Sequence, residues 1–362
     1  MTTDLLANRY RPLRPLGEGA MGLVWLVDDT STGEQVALKA ISRKIGATDK
    51  SILQFKQEFR LMTQLRHPNC CEVYDYGVLE SGEPYFTMEV VPGKGLDELV
   101  PLKPGDFSAI MGQLALALGY VHQLGFVHRD LKSANVRVKP DGTVKLMDYG
   151  LMEHAGRGGE GIAGTIGYMA PELIKRAPLD QRADLYSLGC LGYEMLTGRL
   201  PFTGERPMDV LRAHVQERPV PPTSHRAGLA PAQEKLVLGL LAKEPIDRPQ
   251  SAVTVLDALG IEAPPGIGGN LLSAPLLGRE KESAALSEGL ERVAKGGTAG
   301  FYVLSGPAGI GKSRLVDELR CRALLENIPC GMGKMDHQDV VPYAAFTTAV
   351  RDVVPALRQV VP

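Results

Sequence analysis

The sequence predicts an α+β architecture in two lobes, the first rich in strands and the second rich in helices, followed by the opening of an α/β domain. Three observations carry that prediction. Residues 10–91 alternate short apolar bursts with glycines and contain one amphipathic helical stretch. A break at Pro92, Gly93 and Gly95 ends that pattern, and helical spacing then dominates to about residue 260. A second change of composition begins near Ala263, where proline and glycine crowd together before a new strand–turn–helix pattern.

The elements follow in chain order. Residues 10–40 read as a strand, a glycine-rich turn and two further strands, clearest around Trp25 and Lys39. Residues 51–66 take helical spacing, with Ile52, Phe55, Phe59, Met62 and Leu65 on one face. Short strands are expected over 73–78 and 85–91, and helices over 106–124, 182–197 and 231–242. Residues 276–296 have a helix pattern, 300–306 read as a buried strand, and a glycine-rich turn and a helix follow. The expected division is a tail over 1–9, a two-lobed domain over 10–260 with its lobes at 10–91 and 92–260, a linker over 261–276 and a partial domain over 277–362.

Composition excludes several classes. A chain of 362 residues has room for two or three folding units. Hydrophobic residues at 44% and charged residues at 23% are ordinary for a globular protein. A net charge of -2 and a pI near 6.4 argue against an electrostatic grip on nucleic acid or an anionic membrane. The cysteines Cys70, Cys71, Cys190, Cys321 and Cys330 are odd in number and lack metal spacing, which suits buried thiols in a reducing compartment. The N-terminus has no apolar core and no apolar run is long enough to span a bilayer, so a soluble, cytoplasmic chain is expected.

Chemistry enters with Gly17, Gly19 and Gly22. That spacing alone also suits a dinucleotide fold, or an ordinary glycine-rich hairpin. Here a strand follows rather than a helix, which fits a flap whose backbone N–H groups approach phosphates. Lys39 ends an apolar strand, where it could hold a phosphate or simply snorkel to water. Glu58 on the next helix could aim it, or could lie on a solvated face.

The segment 128–135 reads His-Arg-Asp-Leu-Lys-Ser-Ala-Asn. Phosphoryl transfer to an alcohol needs a carboxylate for the hydroxyl proton, a cation near the moving group and oxygen ligands for a metal. Asp130, Lys132 and Asn135 supply these in order, and Asp148 in Asp148-Tyr149-Gly150 adds a hard oxygen suited to magnesium. Ala170-Pro171-Glu172 completes an ordered set too long to arise by chance.

On this set the chain resembles the eukaryotic-type (Hanks-type) serine/threonine protein kinases, in their bacterial form, over roughly 250 residues. The resemblance implies the bilobal protein kinase fold and the following roles. Gly17, Gly19 and Gly22 cover the phosphates of ATP, and Lys39 holds the α- and β-phosphates while paired with Glu58. Asp130 is the catalytic base. Asn135 and Asp148 bind Mg²⁺, with Mn²⁺ a second candidate. Val24 and Ala37 line the adenine pocket, Met88 is the gatekeeper, and the backbones of Glu89 and Val91 meet adenine. Lys132 marks the serine/threonine class. Glu172 pairs with Arg248, and Asp184 braces the catalytic loop. The implied partners are ATP and proteins bearing acceptor serines or threonines. A scaffold that binds ATP without catalysis usually lacks one of Lys39, Asp130 or Asp148, and all are present.

Two departures stand out. Tyr149 replaces the usual phenylalanine. Residues 151–164 contain no serine or threonine, and the first hydroxyl after them is Thr165, which in the family contacts the catalytic Asp and Lys. The phosphate that commonly orders this segment against the Arg of the His-Arg-Asp motif therefore lacks its acceptor. Glu153 or Glu160 against Arg129 is one substitute, a partner protein is another, and a mobile glycine-rich loop is the third reading.

Further on, Gly306, Gly311, Lys312 and Ser313 fit a P-loop between a strand and a helix. Lys312 is placed to reach the β- and γ-phosphates and Ser313 to ligate Mg²⁺. With Gly278-Arg279-Glu280 before it, this region resembles the AAA/STAND regulatory ATPases, which implies a fused regulatory module and self-association through it. No apolar strand ending in aspartate appears before Pro362, so an incomplete nucleotide domain without hydrolysis is expected.

Overall fold

A computed structural model describes residues 5–19, 22–41, 49–155, 164–263, 280–298, 300–306, 312–325, 328, 330–333, 346–347 and 349–350. The chain divides into two compact units.

The first unit carries an antiparallel sheet of β1 (Tyr10–Gly19), β2 (Gly22–Asp29), β3 (Gln35–Ala40), β4 (Val73–Val78) and β5 (Pro84–Met88), in the order β1-β2-β3-β5-β4. Alternation along β2 and β3 places Val27, Val36 and Leu38 on one face, where they pack with Tyr10 and Tyr85. Helix α1 (Asp49–Met62) lays Phe55 and Phe59 against Phe86 of β5, with ring centroids 4.8 and 5.8 Å apart. The helix ends four residues before the end of the 51–66 stretch, because Gln64 N–H turns to the Leu61 carbonyl and tightens the last turn. Gly22 is required where it stands. Its φ is +149°, and a Cβ there would run into the Ala40 carbonyl.

The second unit is mainly helical and takes in residues 65–71 as well as 91–274. Cys71 N–H donates to the Leu146 carbonyl and Asn69 Nδ2 to the Val144 carbonyl, which ties the short 65–71 segment to this unit. In chain order come β6 (Lys94–Gly95), α2 (Pro104–Gln123), β7 (Phe126–Val127), β8 (Val136–Val138), β9 (Val144–Leu146) and β10 (Glu153–His154). Then follow α3 (Pro171–Ile174), α4 (Gln181–Thr197), α5 (Pro207–Gln216), α6 (Pro231–Leu240) and α7 (Ala252–Ala258). Helix α4 is buried on nearly every side from Ala183 to Leu196, which makes it the axis of the unit. Its ends are marked in the sequence: Asp180 accepts from Arg182 N–H at 2.9 Å, and Gly198 closes the helix at φ +72°.

Further along the chain, α8 (Glu280–Ala294) and α9 (Lys312–Leu325) share a small core of Leu290, Ala323 and Ile328. Arg322 Nη1 donates to Ser287 Oγ at 2.8 Å and its guanidinium lies 3.5 Å from Glu291. The strand expected over 300–306 is not formed. Phe301 and Val303 are 76% and 74% exposed, since none of the described residues supplies a strand for this segment to pair with. Among the described residues, no helix is long and apolar enough to cross a membrane.

Candidate active site

In the first unit the register of the sheet positions the cation. Val24 faces Lys39, Lys39 faces Phe86, and Ala37 faces Met88. Lys39 Nζ donates to Glu58 Oε1 at 2.6 Å and lies 5.6 Å from the centre of the Phe86 ring. Glu58 does not occupy a solvated face: its side chain is 1% exposed. A carboxylate so buried needs a charged partner, and Lys39 provides it. Glu89 N–H donates to the Glu72 carbonyl at 2.9 Å, while Glu89 Oε1 accepts from Glu72 N–H. Gly17 and Gly19 lie on β1, and Gly17 pairs with Val24.

In the second unit the chemistry converges on Asp130. Its Oδ1 accepts from Thr165 Oγ1 at 2.7 Å and from Thr165 N–H at 3.0 Å. Its Oδ2 accepts from Lys132 Nζ at 2.8 Å and from Asn135 Nδ2 at 3.2 Å. Lys132 Nζ also donates to Thr165 Oγ1 at 3.0 Å. Asn135 Nδ2 donates as well to the Asp130 carbonyl at 2.9 Å. The amide nitrogen is thereby committed inward, so the amide oxygen of Asn135 faces away from Asp130.

Asp184, delivered by α4, holds the backbone that carries Asp130. It accepts from His128 N–H at 2.8 Å, Arg129 N–H at 2.9 Å and His122 Nε2 at 2.7 Å. Complete burial would raise its pKa, but the hydrogen bonds from His122 and the Arg129 backbone outweigh that, and the net shift is downward. Arg129 and Asp148 hold left-handed backbones at φ +69° and +54°. For residues with side chains that conformation costs about 1–3 kcal/mol each and persists only where the surroundings enforce it. His128 is wholly buried, which pushes its pKa down and keeps it neutral, and it packs 5.1 Å from the Tyr149 ring.

Tyr149 uses its extra hydroxyl structurally. The group donates to the Leu146 carbonyl at 2.9 Å and is fully buried, which raises its pKa well above the ordinary phenol. The Leu146 carbonyl keeps Cys71 N–H as a second donor. Tyr149→Phe will therefore cost only about 1 kcal/mol in urea unfolding and leave catalytic turnover unchanged.

The second unit also holds groups that the motifs do not point to. Tyr168 donates its hydroxyl to Glu194 Oε2 at 2.7 Å and lies 3.0 Å from Ser133 Oγ. Burial and the neighbouring Asp97 raise the pKa of Glu194, although its bonds to Tyr168 and Ser133 oppose them. Neither this network nor the His122–Asp184 contact has a spacing signal, because its members lie on elements far apart in sequence. Glu172 and Arg248 form the expected pair, with two bonds of 2.6 and 2.8 Å. Of the two carboxylates considered against Arg129, Glu153 forms an ion pair with it, and Glu160 lies outside the described residues.

In the last segment Lys312 Nζ donates to the Gly306 carbonyl at 2.8 Å. Gly311 and the side chain of Ser313 lie outside what the structure describes. Among the described residues no cluster of three or more His, Cys, Asp or Glu side chains could hold a metal. Magnesium, which commonly takes only one or two carboxylates, needs no such cluster.

Comparison with known proteins identifies the family. A family model described as the protein kinase domain matches residues 10–258, and one described as an AAA ATPase domain matches residues 275–360. The serine/threonine-protein kinase pkn3 of Myxococcus xanthus is 34% identical over 265 residues, covering 68% of this chain and 48% of that protein. The serine/threonine-protein kinase PknB of Mycobacterium tuberculosis is 35% identical over 264 residues, covering 69% of this chain and 42% of that protein. The chain thus spans less than half the length of these relatives. With the family model covering most of the chain and the Lys39–Glu58 pair, the Asp130 cluster and the Glu172–Arg248 pair formed, the chain belongs to the protein kinase family, with bacterial serine/threonine kinases among its relatives and an AAA ATPase segment at its C-terminal end.

Proposed function

We propose that this chain transfers the γ-phosphate of ATP to serine and threonine hydroxyls of proteins, as the catalytic part of a regulator that also carries an ATPase module. The observation that supports it most is the Asp130 cluster, where one carboxylate is oriented by Lys132, Asn135 and Thr165. In this reading Asp130 yields one of its hydrogen-bond positions to the acceptor hydroxyl and takes up its proton as the oxygen attacks. Lys132 moves with the charge onto the transferring phosphoryl group. Lys39, held by Glu58, fixes the α- and β-phosphates so that the γ-phosphate meets the hydroxyl in line.

The glycines Gly17, Gly19 and Gly22 cover the phosphates; Val24, Ala37, Met88, Glu89 and Val91 receive the adenine. The carboxylate of Asp148 and the outward amide oxygen of Asn135 form the hard donor set that would hold Mg²⁺ or Mn²⁺. When bound, the ion neutralises charge on the phosphates.

The test is transfer of labelled phosphate from ATP, with magnesium, to a basic protein containing serine, threonine and tyrosine. Label on serine and threonine, lost when the metal is chelated, is expected. Label on tyrosine alone would overturn the acceptor class. No transfer under any condition would overturn the activity and leave an ATP-binding scaffold.

A further inference from the structure

Arg129 stands one residue before the carboxylate that the proposed chemistry turns on, and its surroundings are unusual. Its backbone is held at φ +69° by Asp184, so its position and that of Asp130 are set together. Its side chain is only 5% exposed. A guanidinium removed from water to that degree requires an anion close by. Among the described residues Glu153 supplies one, its carboxylate forming an ion pair with Arg129 Nη1.

Glu153 reaches that place through backbone pairing rather than chance. Strand β10 runs antiparallel to β7, with Glu153 opposite Val127 and His154 opposite Phe126. Ala155 N–H continues the ladder by donating to the Gly125 carbonyl at 2.9 Å. The chain leaving Asp148 is thereby zipped to the chain entering Arg129. Every other residue from 151 to 164 lacks a serine, threonine or tyrosine hydroxyl, so that stretch cannot present a phosphate to Arg129.

We propose that Glu153 is a positioning residue: a built-in counter-ion to Arg129 that holds β10, at the start of the 151–164 stretch, in its working arrangement beside Asp130 without phosphorylation. The inference rests on the kinase reading above. A single carboxylate takes the role that a dianionic phosphate would otherwise fill, and it does so from a strand rather than from a loop. The cost of separating the charges falls on both partners, since Arg129 would be left buried without its anion and β10 would lose the side-chain tie that reinforces its pairing with β7. The pair is partly solvated, Glu153 being 41% exposed, so the effect lies between that of a buried and a surface pair.

The test uses the full chain and three readouts. First, protein stripped of phosphate by a phosphatase is expected to keep its initial turnover. A loss of turnover restored by preincubation with ATP would overturn the proposal. Second, Glu153→Gln is expected to lower kcat by roughly tenfold with little change in KM for ATP, and Glu153→Asp to recover most of the loss. Combined with Arg129→Ala it should add nothing further, because both variants break the same contact. Full turnover in Glu153→Gln, or additive losses in the double variant, would overturn the proposal. Third, amide exchange at Ala155 should quicken in Glu153→Gln and not in Glu153→Asp. This last readout needs no catalysis. If the wild-type protein transfers no phosphate, the kinase reading fails, while unchanged exchange in Glu153→Gln separately overturns the counter-ion.

Discussion

Replacing Asp130 by asparagine will lower the rate of phosphate transfer to protein by about two to four orders of magnitude, the range that general-base groups contribute. The substitution is nearly isosteric. An asparagine oxygen at the Oδ1 position still accepts from Thr165 N–H and Oγ1, now at 3.0 and 2.7 Å, while the amide nitrogen at the other position loses the bonds from Lys132 and Asn135. What changes is charge and proton affinity: the amide neither takes a proton from the acceptor hydroxyl nor balances Lys132, whose Nζ now lies 2.8 Å from Oδ2. The loss should therefore appear in kcat, with KM for ATP within a few-fold of the parent. Steady-state transfer measured beside urea unfolding separates the chemistry from the fold. Turnover within threefold of the parent would exclude Asp130 as the base.

The second large effect is on stability and lies outside the Asp130 cluster. The Arg248 side chain is 0% exposed and all five of its donor positions are used. Nη1 and Nη2 grip Glu172 at 2.6 and 2.8 Å, while Nε, Nη1 and Nη2 also reach the carbonyls of Ala242, Arg182 and Lys243 at 2.7, 2.9 and 2.8 Å. The guanidinium lies 4.9 Å from the centre of the Tyr186 ring. Arg248→Leu leaves a buried carboxylate without its partner and three carbonyls without a donor. Breaking a buried pair in this way costs about 3–5 kcal/mol, or on the order of 10 °C in the midpoint of a unit this size. Arg248→Lys recovers only part, since an ammonium cannot fork to both carboxylate oxygens and reach the carbonyls as well. Chemical and thermal unfolding of the two variants measures this. A change below 1 kcal/mol in Arg248→Leu would show that the pair does not hold the helices together.

Much of the site was legible because phosphoryl transfer demands particular atoms at short spacing. Asp130, Lys132 and Asn135 sit on one short loop, so their spacing already keeps them within reach of one carboxylate, while Asp184 fixes the loop's shape. The long helices were legible too. Helix α4 starts at an aspartate cap and stops at a left-handed glycine, both local effects. Short-range chemistry also misled in one place. Residues 300–306 are as apolar as a buried strand, yet most of them are exposed, because a strand needs another strand to supply hydrogen bonds and none of the described residues does so.

Glu58, Tyr168 and Glu153 show the other limit. Spacing left Glu58 either paired or solvated, and the sheet decided it by burying its carboxylate against Lys39 at 2.6 Å. The contact of Tyr168 and Ser133 with Glu194 joins a catalytic-loop residue to the end of α4, and nothing local announces it.

The sequence by itself determined the two-lobed class, the set of residues proposed for catalysis and the missing hydroxyls between 151 and 164. Only the tertiary structure showed that Glu153 pairs with Arg129, because that depends on the pairing of β10 with β7 and on how far the guanidinium is withdrawn from water. Covalent spacing settles which groups are near within one turn or loop. Charge pairing across elements is settled by burial, since it is the loss of water that makes one carboxylate rather than another indispensable.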